Sequence, residues 1–169
     1  LNPSVAEFHS NLGHTRLAQG LLEEAVTCYR RALTLRPDFA ETCNNLGNAL
    51  KEQGKLEEAI TCYQQVLTLQ PANGDAYYNL GNTLREQGKL EEAKRCYHRV
   101  LALKPDYAMA YNNLGTVFGD QERLEEARAC YEQALAITPD HVMALNNLGN
   151  VFKEQGRLEE ARAGYERAL

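Results

Sequence analysis

Serine occurs only as Ser4 and Ser10, and histidine only as His9, His14, His98 and His141. His9 and His14 are five apart, which misses the spacing of three or four that brings two ligands together on one helix face. No glycine-rich loop follows a strand-type pattern, so the backbone cradle that phosphate chemistry needs is absent. Nucleophilic, metal-assisted and phosphate-transfer catalysis therefore lack their residues. We expect a protein that is not an enzyme and that uses no cofactor or metal. No apolar stretch approaches the ~18 residues of a membrane span, and no charged-then-apolar leader opens the chain. Basic runs are missing as well. With a formal net charge of -5, the chain lacks the concentrated positive surface that binding to nucleic acid requires.

Cysteine is present five times, but without a CxxC pair. Cys28, Cys62, Cys96 and Cys130 each stand immediately before a tyrosine, one repeat apart. Units one helix pair apart lie roughly 10 Å from each other, beyond the reach of a disulfide. These thiols are expected to be free, to act as small apolar filler, and to belong to a reducing, cytoplasmic compartment.

What the chain has in quantity is self-similarity. Leu46-Gly47 recurs as Leu12-Gly13, Leu80-Gly81, Leu114-Gly115 and Leu148-Gly149, and Pro71 recurs as Pro3, Pro37, Pro105 and Pro139, at a spacing of 34. Ala59 and Tyr63 repeat with them. Five copies fit, 6–39, 40–73, 74–107, 108–141 and 142–169, the last incomplete. A fixed period of this length marks an array in which each unit buries its apolar face against its neighbours. The whole chain, 1–169, reads as one such array, with Leu1 to Val5 as a lead-in. It starts without Met and stops inside an expected helix, so a fragment of a longer protein is expected.

Each copy predicts two helices. Helix A runs roughly from Ala40 to Gln53, with Cys43, Leu46, Gly47 and Leu50 on one face and Glu41, Asn44, Asn45, Asn48, Lys51 and Glu52 opposite. Gly47 suggests a close approach of the second helix, with Ala59 as the expected opposing surface. Gly54, like Gly20, Gly88 and Gly156, suits a left-handed cap, and Glu122 in the fourth copy breaks that rule. It predicts either strain of about 1 kcal/mol or a reshaped turn. Helix B opens with Glu57-Glu58, whose charges suit the positive end of the helix dipole. Its stripe is Leu56, Ala59, Ile60, Tyr63, Val66 and Leu67. Asp38, Asp106 and Asp140 are candidate N-caps for the following helix A.

These residues resemble the tetratricopeptide repeat family: Cys43-x2-Leu46-Gly47-x2-Leu50, then Ala59-x3-Tyr63, then Pro71. The leading Trp of that pattern is replaced by His9, Cys43, Tyr77, Tyr111 or Leu145, and Arg16 stands where other copies carry an apolar residue. The resemblance implies an all-α superhelix of five stacked hairpins, with A helices lining a concave side. The Asn-rich NLGN and NNLGN helices also resemble those preceding the catalytic region of O-linked N-acetylglucosamine transferases and their bacterial relatives. That resemblance implies the substrate-presenting arm of a larger enzyme.

The functional signal is asparagine. Asn11, Asn45, Asn79, Asn113 and Asn147 repeat without exception, beside Asn44, Asn112 and Asn146 and one turn before Asn48, Asn82 and Asn150. An amide offers a donor and an acceptor, so such a row suits the backbone of an extended segment. The competing role is a tie between repeats. It weighs as much as ligand binding for Asn45 and its equivalents, and less for Asn44 and Asn48. Lys51, Asp75, Tyr78, Arg85, Met109 and Met143 vary around this frame and complete the expected peptide-binding groove. The carboxylate clamp known in the family needs cations where Glu7, Glu41 and Asp75 stand, so that mode is rejected. The expected partner is a protein or peptide, held as an extended segment or a helix. Self-association through an apolar edge of Leu148, Phe152, Tyr165 and Leu169 is the structural alternative.

Overall fold

The computed structural model describes residues 3–169, apart from the side chain of Pro3. Ten helices run through these residues: α1 (Pro3–Ala18), α2 (Leu22–Leu35), α3 (Ala40–Glu52), α4 (Leu56–Leu69), α5 (Gly74–Glu86), α6 (Leu90–Leu103), α7 (Ala108–Asp120), α8 (Leu124–Ile137), α9 (Val142–Glu154) and α10 (Leu158–Arg167). Odd-numbered helices are the A helices of the five repeats and even-numbered ones the B helices. The lead-in is shorter than the sequence suggests. Leu1 and Asn2 lie outside the described residues, while Pro3, Ser4 and Val5 belong to α1. Proline is tolerated in a first turn because its missing N–H would have no helical partner there.

Two compact units divide the chain at Gly88 and Lys89. The boundary falls in the turn between α5 and α6, inside the third repeat. In the first unit α1 packs on α2, α2 on α3, α3 on α4 and α4 on α5; in the second, α6 packs on α7, α7 on α8, α8 on α9 and α9 on α10. Among the described residues, no helix is long and apolar enough to cross a membrane.

Each A helix ends the same way. Gly54 takes φ 74°, its N–H donates to the Lys51 carbonyl (2.9 Å), and Lys55 N–H reaches back to the Leu50 carbonyl (2.9 Å). This satisfies carbonyls that the helix end would otherwise leave without donors. In the fourth repeat Glu122 takes φ 58°, with equivalent bonds from Glu122 to Gly119 (2.8 Å) and from Arg123 to Phe118 (2.9 Å). The turn is not reshaped. A side chain is instead held in the left-handed region, which costs about 1–2 kcal/mol.

The caps differ from expectation. Phe39 and Tyr107, not Asp38 and Asp106, occupy the N-cap positions of α3 and α7, and neither makes a side-chain cap bond. At α9 the cap is His141 instead of Asp140, its Nδ1 accepting from Ala144 N–H at 3.3 Å. Asn73 caps α5 by accepting from Ala76 N–H at 2.9 Å. The aspartates come one residue too early, still in the turn after proline.

Close approach at the repeated glycine is real, but its partner is tyrosine, not Ala59. A Cβ placed on Gly47 would lie 2.7 Å from Tyr63 Cε1, and one on Gly13, Gly115 or Gly149 would meet Tyr29, Tyr131 or Tyr165 at 2.6 to 2.7 Å. Tyr29 and Tyr63 are fully buried and Tyr131 nearly so. Burying a ring of this size is worth about 1.5–3 kcal/mol, so the Gly–Tyr contact is a main lock inside these four hairpins. Between hairpins the locks are polar as well. Thr42 Oγ1 donates to Ser10 Oγ at 2.8 Å in a buried setting. Gln121 and Gln155 donate to Glu91 and Glu125 of the preceding B helix, each at 2.8 Å.

Candidate peptide-binding face

The asparagines lie where the helical period places them, and several are tied to each other. In the first unit Asn79 Nδ2 donates to Asn44 Oδ1 across repeats at 3.3 Å. In the second, Asn147 Nδ2 donates to Asn112 Oδ1 at 3.0 Å, and Asn112 Nδ2 passes its own bond to Asn113 Oδ1 at 3.1 Å. Asn45 Nδ2 meets His14 Nε2 at 3.0 Å. One turn along, Tyr63 Oη donates to Asn48 Oδ1 and Tyr165 Oη to Asn150 Oδ1, both at 2.8 Å. Burial holds the Tyr63 phenol above its ordinary range, so it stays a donor to Asn48 at every physiological pH.

This corrects the weighting from sequence. Asn44 and Asn48 are acceptors of internal ties, just as Asn79 and Asn147 are donors. Asn112 does not face solvent at all, being only 3% exposed. On an isolated helix it stands opposite the apolar stripe, but the neighbouring repeat covers that flank of α7. Asn44, Asn45, Asn79, Asn82, Asn113, Asn146 and Asn147 are half-buried, while Asn48 and Asn150 are exposed. Each of these donated ties uses one N–H of an amide that has two, so Asn79 and Asn147 are oriented without being saturated.

The variable residues complete the face. Met109 and Met143 are 40% and 57% exposed, on α7 and α9 of the same unit. Tyr78 and Arg85 are half-buried and Asp75 is exposed on α5. Lys51 Nζ lies 3.6 Å from Glu86 Oε2, pairing α3 with α5. Of the apolar edge residues, Leu169 is exposed, and Leu148, Phe152 and Tyr165 are half-buried.

Two features escape sequence reasoning. The first is the double role of the Glu-Glu pairs, since Glu91 and Glu125 also accept from the next repeat's glutamine; only the tertiary stack brings Gln121 and Gln155 there. The second is a thiol pair. Cys43, outside the repeated cysteine position, directs its Sγ to the Cys62 carbonyl oxygen at 3.3 Å. Both are buried free thiols. A side-chain hydrogen bond to Cys43 in which Cys62 keeps the proton, together with burial, pushes the Cys62 thiol up. A search limited to one repeat position compares only cysteines stacked along the array and misses a pair facing each other within one hairpin. Among the described residues, no three His, Cys, Asp or Glu side chains group as a metal site would need.

Known proteins place this geometry in a family. The solved structure of MamA is 27% identical, with a TM-score of 0.85, covering 93% of this chain and 92% of that one. TTC0263, a thermophilic TPR protein of Thermus thermophilus, is 25% identical with a TM-score of 0.75, covering 97% and 90%. YrrB, described as a TPR protein with an unusual peptide-binding site, is 23% identical with a TM-score of 0.76, covering 95% and 82%. Among curated proteins none matches this sequence. The family model described as the cilia and flagella-associated protein 70 C-terminal domain matches residues 3–169. The chain therefore belongs to that family, a family of tetratricopeptide repeats.

Proposed function

We propose that this chain is a non-enzymatic interaction scaffold whose A-helix face holds an extended protein segment. The observation that carries the reading is the amide ladder, present in both units as Asn79 to Asn44 and Asn147 to Asn112. Ordering a long polar side chain costs conformational entropy. These ties fix the carboxamides before a ligand arrives, so a peptide backbone meets donors and acceptors already in place. Met109 and Met143 add adaptable apolar contacts alongside, suited to side chains of varied shape. In the second unit, Met109, Asn113, Met143, Asn147 and Asn150 would form the contact surface, and in the first Asn45, Asn48, Tyr78, Asn79 and Asn82.

The test is selection of random twelve-residue peptides displayed on phage against the intact chain. Binding of the selected peptides is then measured to a Met109→Ala/Met143→Ala variant and to a control changed at Arg31 and His98, which are exposed on the B helices. Affinity should fall about tenfold in the first and stay unchanged in the second, with equal urea midpoints. Equal affinity for both variants would refute the assignment of the face.

A further inference from the structure

Only the second hairpin carries two cysteines. Cys43 of α3 and Cys62 of α4 are 0% and 8% exposed, and both are free thiols. In the hairpins of Cys28, Cys96 and Cys130 the place of Cys43 is taken by His9, Tyr77 and Tyr111, so no second thiol stands there. Cys43 Sγ lies 3.3 Å from the Cys62 carbonyl oxygen. Standard bond lengths put that oxygen about 2.4 Å from the Cys62 Cα, so the Cys43 sulfur is within about 6 Å of it. Cysteines stacked from repeat to repeat, roughly 10 Å apart, have no such reach. The pair also has a way in from solvent. Cys62 lines a surface cavity of about 190 Å³, with Arg30 and Glu58 paired at 2.7 Å on its wall.

A buried thiol alone is inert filler. A second thiol in contact changes its chemistry, because a sulfur that has been oxidised then has a partner to form a disulfide with. We propose that Cys43 and Cys62 are a peroxide-reactive dithiol that closes to a reversible disulfide between α3 and α4. The Cys62 S–H donates to the Cys43 sulfur, which holds the Cys43 thiol below its ordinary range and makes Cys43 the attacking group. Hydrogen peroxide, with two heavy atoms, is small enough to use the cavity on the Cys62 side. The Cys43 thiolate attacks one of its oxygens, the O–O bond breaks, and hydroxide leaves, taking the Cys62 proton to become water. The Cys62 thiolate then attacks the Cys43 sulfur, the S–O bond breaks, and a second hydroxide leaves. Two electrons have passed from the sulfurs to the peroxide. The new bond closes the loop 43–62 and pins α3 to α4. This site is separate from the amide face and does not rest on the groove reading.

The experiment treats the intact, fully reduced chain with stoichiometric hydrogen peroxide, removes the excess with catalase, unfolds the chain in urea and labels it with N-ethylmaleimide. The untreated chain takes five labels, one per cysteine. The treated chain should lose two of the five, with Cys43 and Cys62 recovered as one cross-linked pair of tryptic fragments. Dithiothreitol should restore both labels. Exposure alone predicts a different order, since Cys28 and Cys130 are half-buried while Cys43 and Cys62 are buried, and simple access would oxidise the former first. Cys43→Ala should keep Cys62 fully labelled at the same dose, because the attacking sulfur is gone. Oxidation of Cys28 or Cys130 before the pair, a treated chain that keeps every label, loss of labels that dithiothreitol does not reverse, or undiminished loss of Cys62 in Cys43→Ala would each overturn the proposal. The first three readouts use the native sequence, so they decide the matter even if the variant fails to fold.

Discussion

Replacing Gly47 by alanine should destabilise the protein, although helix propensity alone says the opposite. An alanine in a helix interior is favoured over glycine by about 1 kcal/mol. Against this stands the ring of Tyr63. The new Cβ would lie 2.7 Å from Cε1 and 3.0 Å from Cζ, where carbon atoms prefer about 3.5–4.0 Å. Tyr63 has no exposed surface, and its hydroxyl is tied to Asn48 at 2.8 Å, so the ring has nowhere to go. Forcing an extra carbon into such a site costs typically about 1–3 kcal/mol. The control is Gly119→Ala, another glycine within an A helix, where the nearest atom a Cβ would meet is 3.8 Å away. That variant should be neutral or slightly stabilising. The difference between the two, read from urea unfolding followed by circular dichroism at 222 nm with unchanged m-value, should be about 1–3 kcal/mol. If Gly47→Ala proves as stable as Gly119→Ala, the glycine is not held by the tyrosine and the account of the hairpin lock is wrong.

Glu122→Gly should stabilise the fourth repeat. Relief of about 1–2 kcal/mol of left-handed strain is partly offset by the greater freedom of glycine in the unfolded chain, about 0.4–1 kcal/mol. A melting point higher by about 1–4 °C is expected, and a lower one would contradict the strain at φ 58°. Burial pushes the Cys96 and Cys130 thiols up to about 11, so the native state holds these protons more tightly than the unfolded chain. Their contribution is therefore complete below the ordinary thiol range and is lost as pH rises from about 8.5 toward 11. Between about pH 7 and 10.5 the melting point should fall more steeply for the native sequence than for Cys96→Ala/Cys130→Ala, and parallel curves would contradict the burial argument.

The fold was legible because its determinants are local and repeated. Gly54 with its equivalents, the Glu-Glu starts and the Leu-Gly step each act within a few residues of chain, and five copies report them. The N-caps were misplaced because a one-residue difference in where the turn ends decides whether Asp38 or Phe39 holds that position, and spacing alone does not resolve it. At the candidate face, the helical period shows which side of the helix each amide occupies but not its partners. Asn112 looks outward on a single helix and is buried once α9 lies beside α7.

Periodicity, the glycine-capped turns and the apolar stripe were thus settled by sequence alone, since each depends on neighbours within one hairpin. Which atom opposes Gly47, which carboxamides bond each other, and that Cys43 meets Cys62 were decided only in three dimensions. These contacts join residues about a repeat or half a repeat apart, and the chain must stack before such residues have a distance at all.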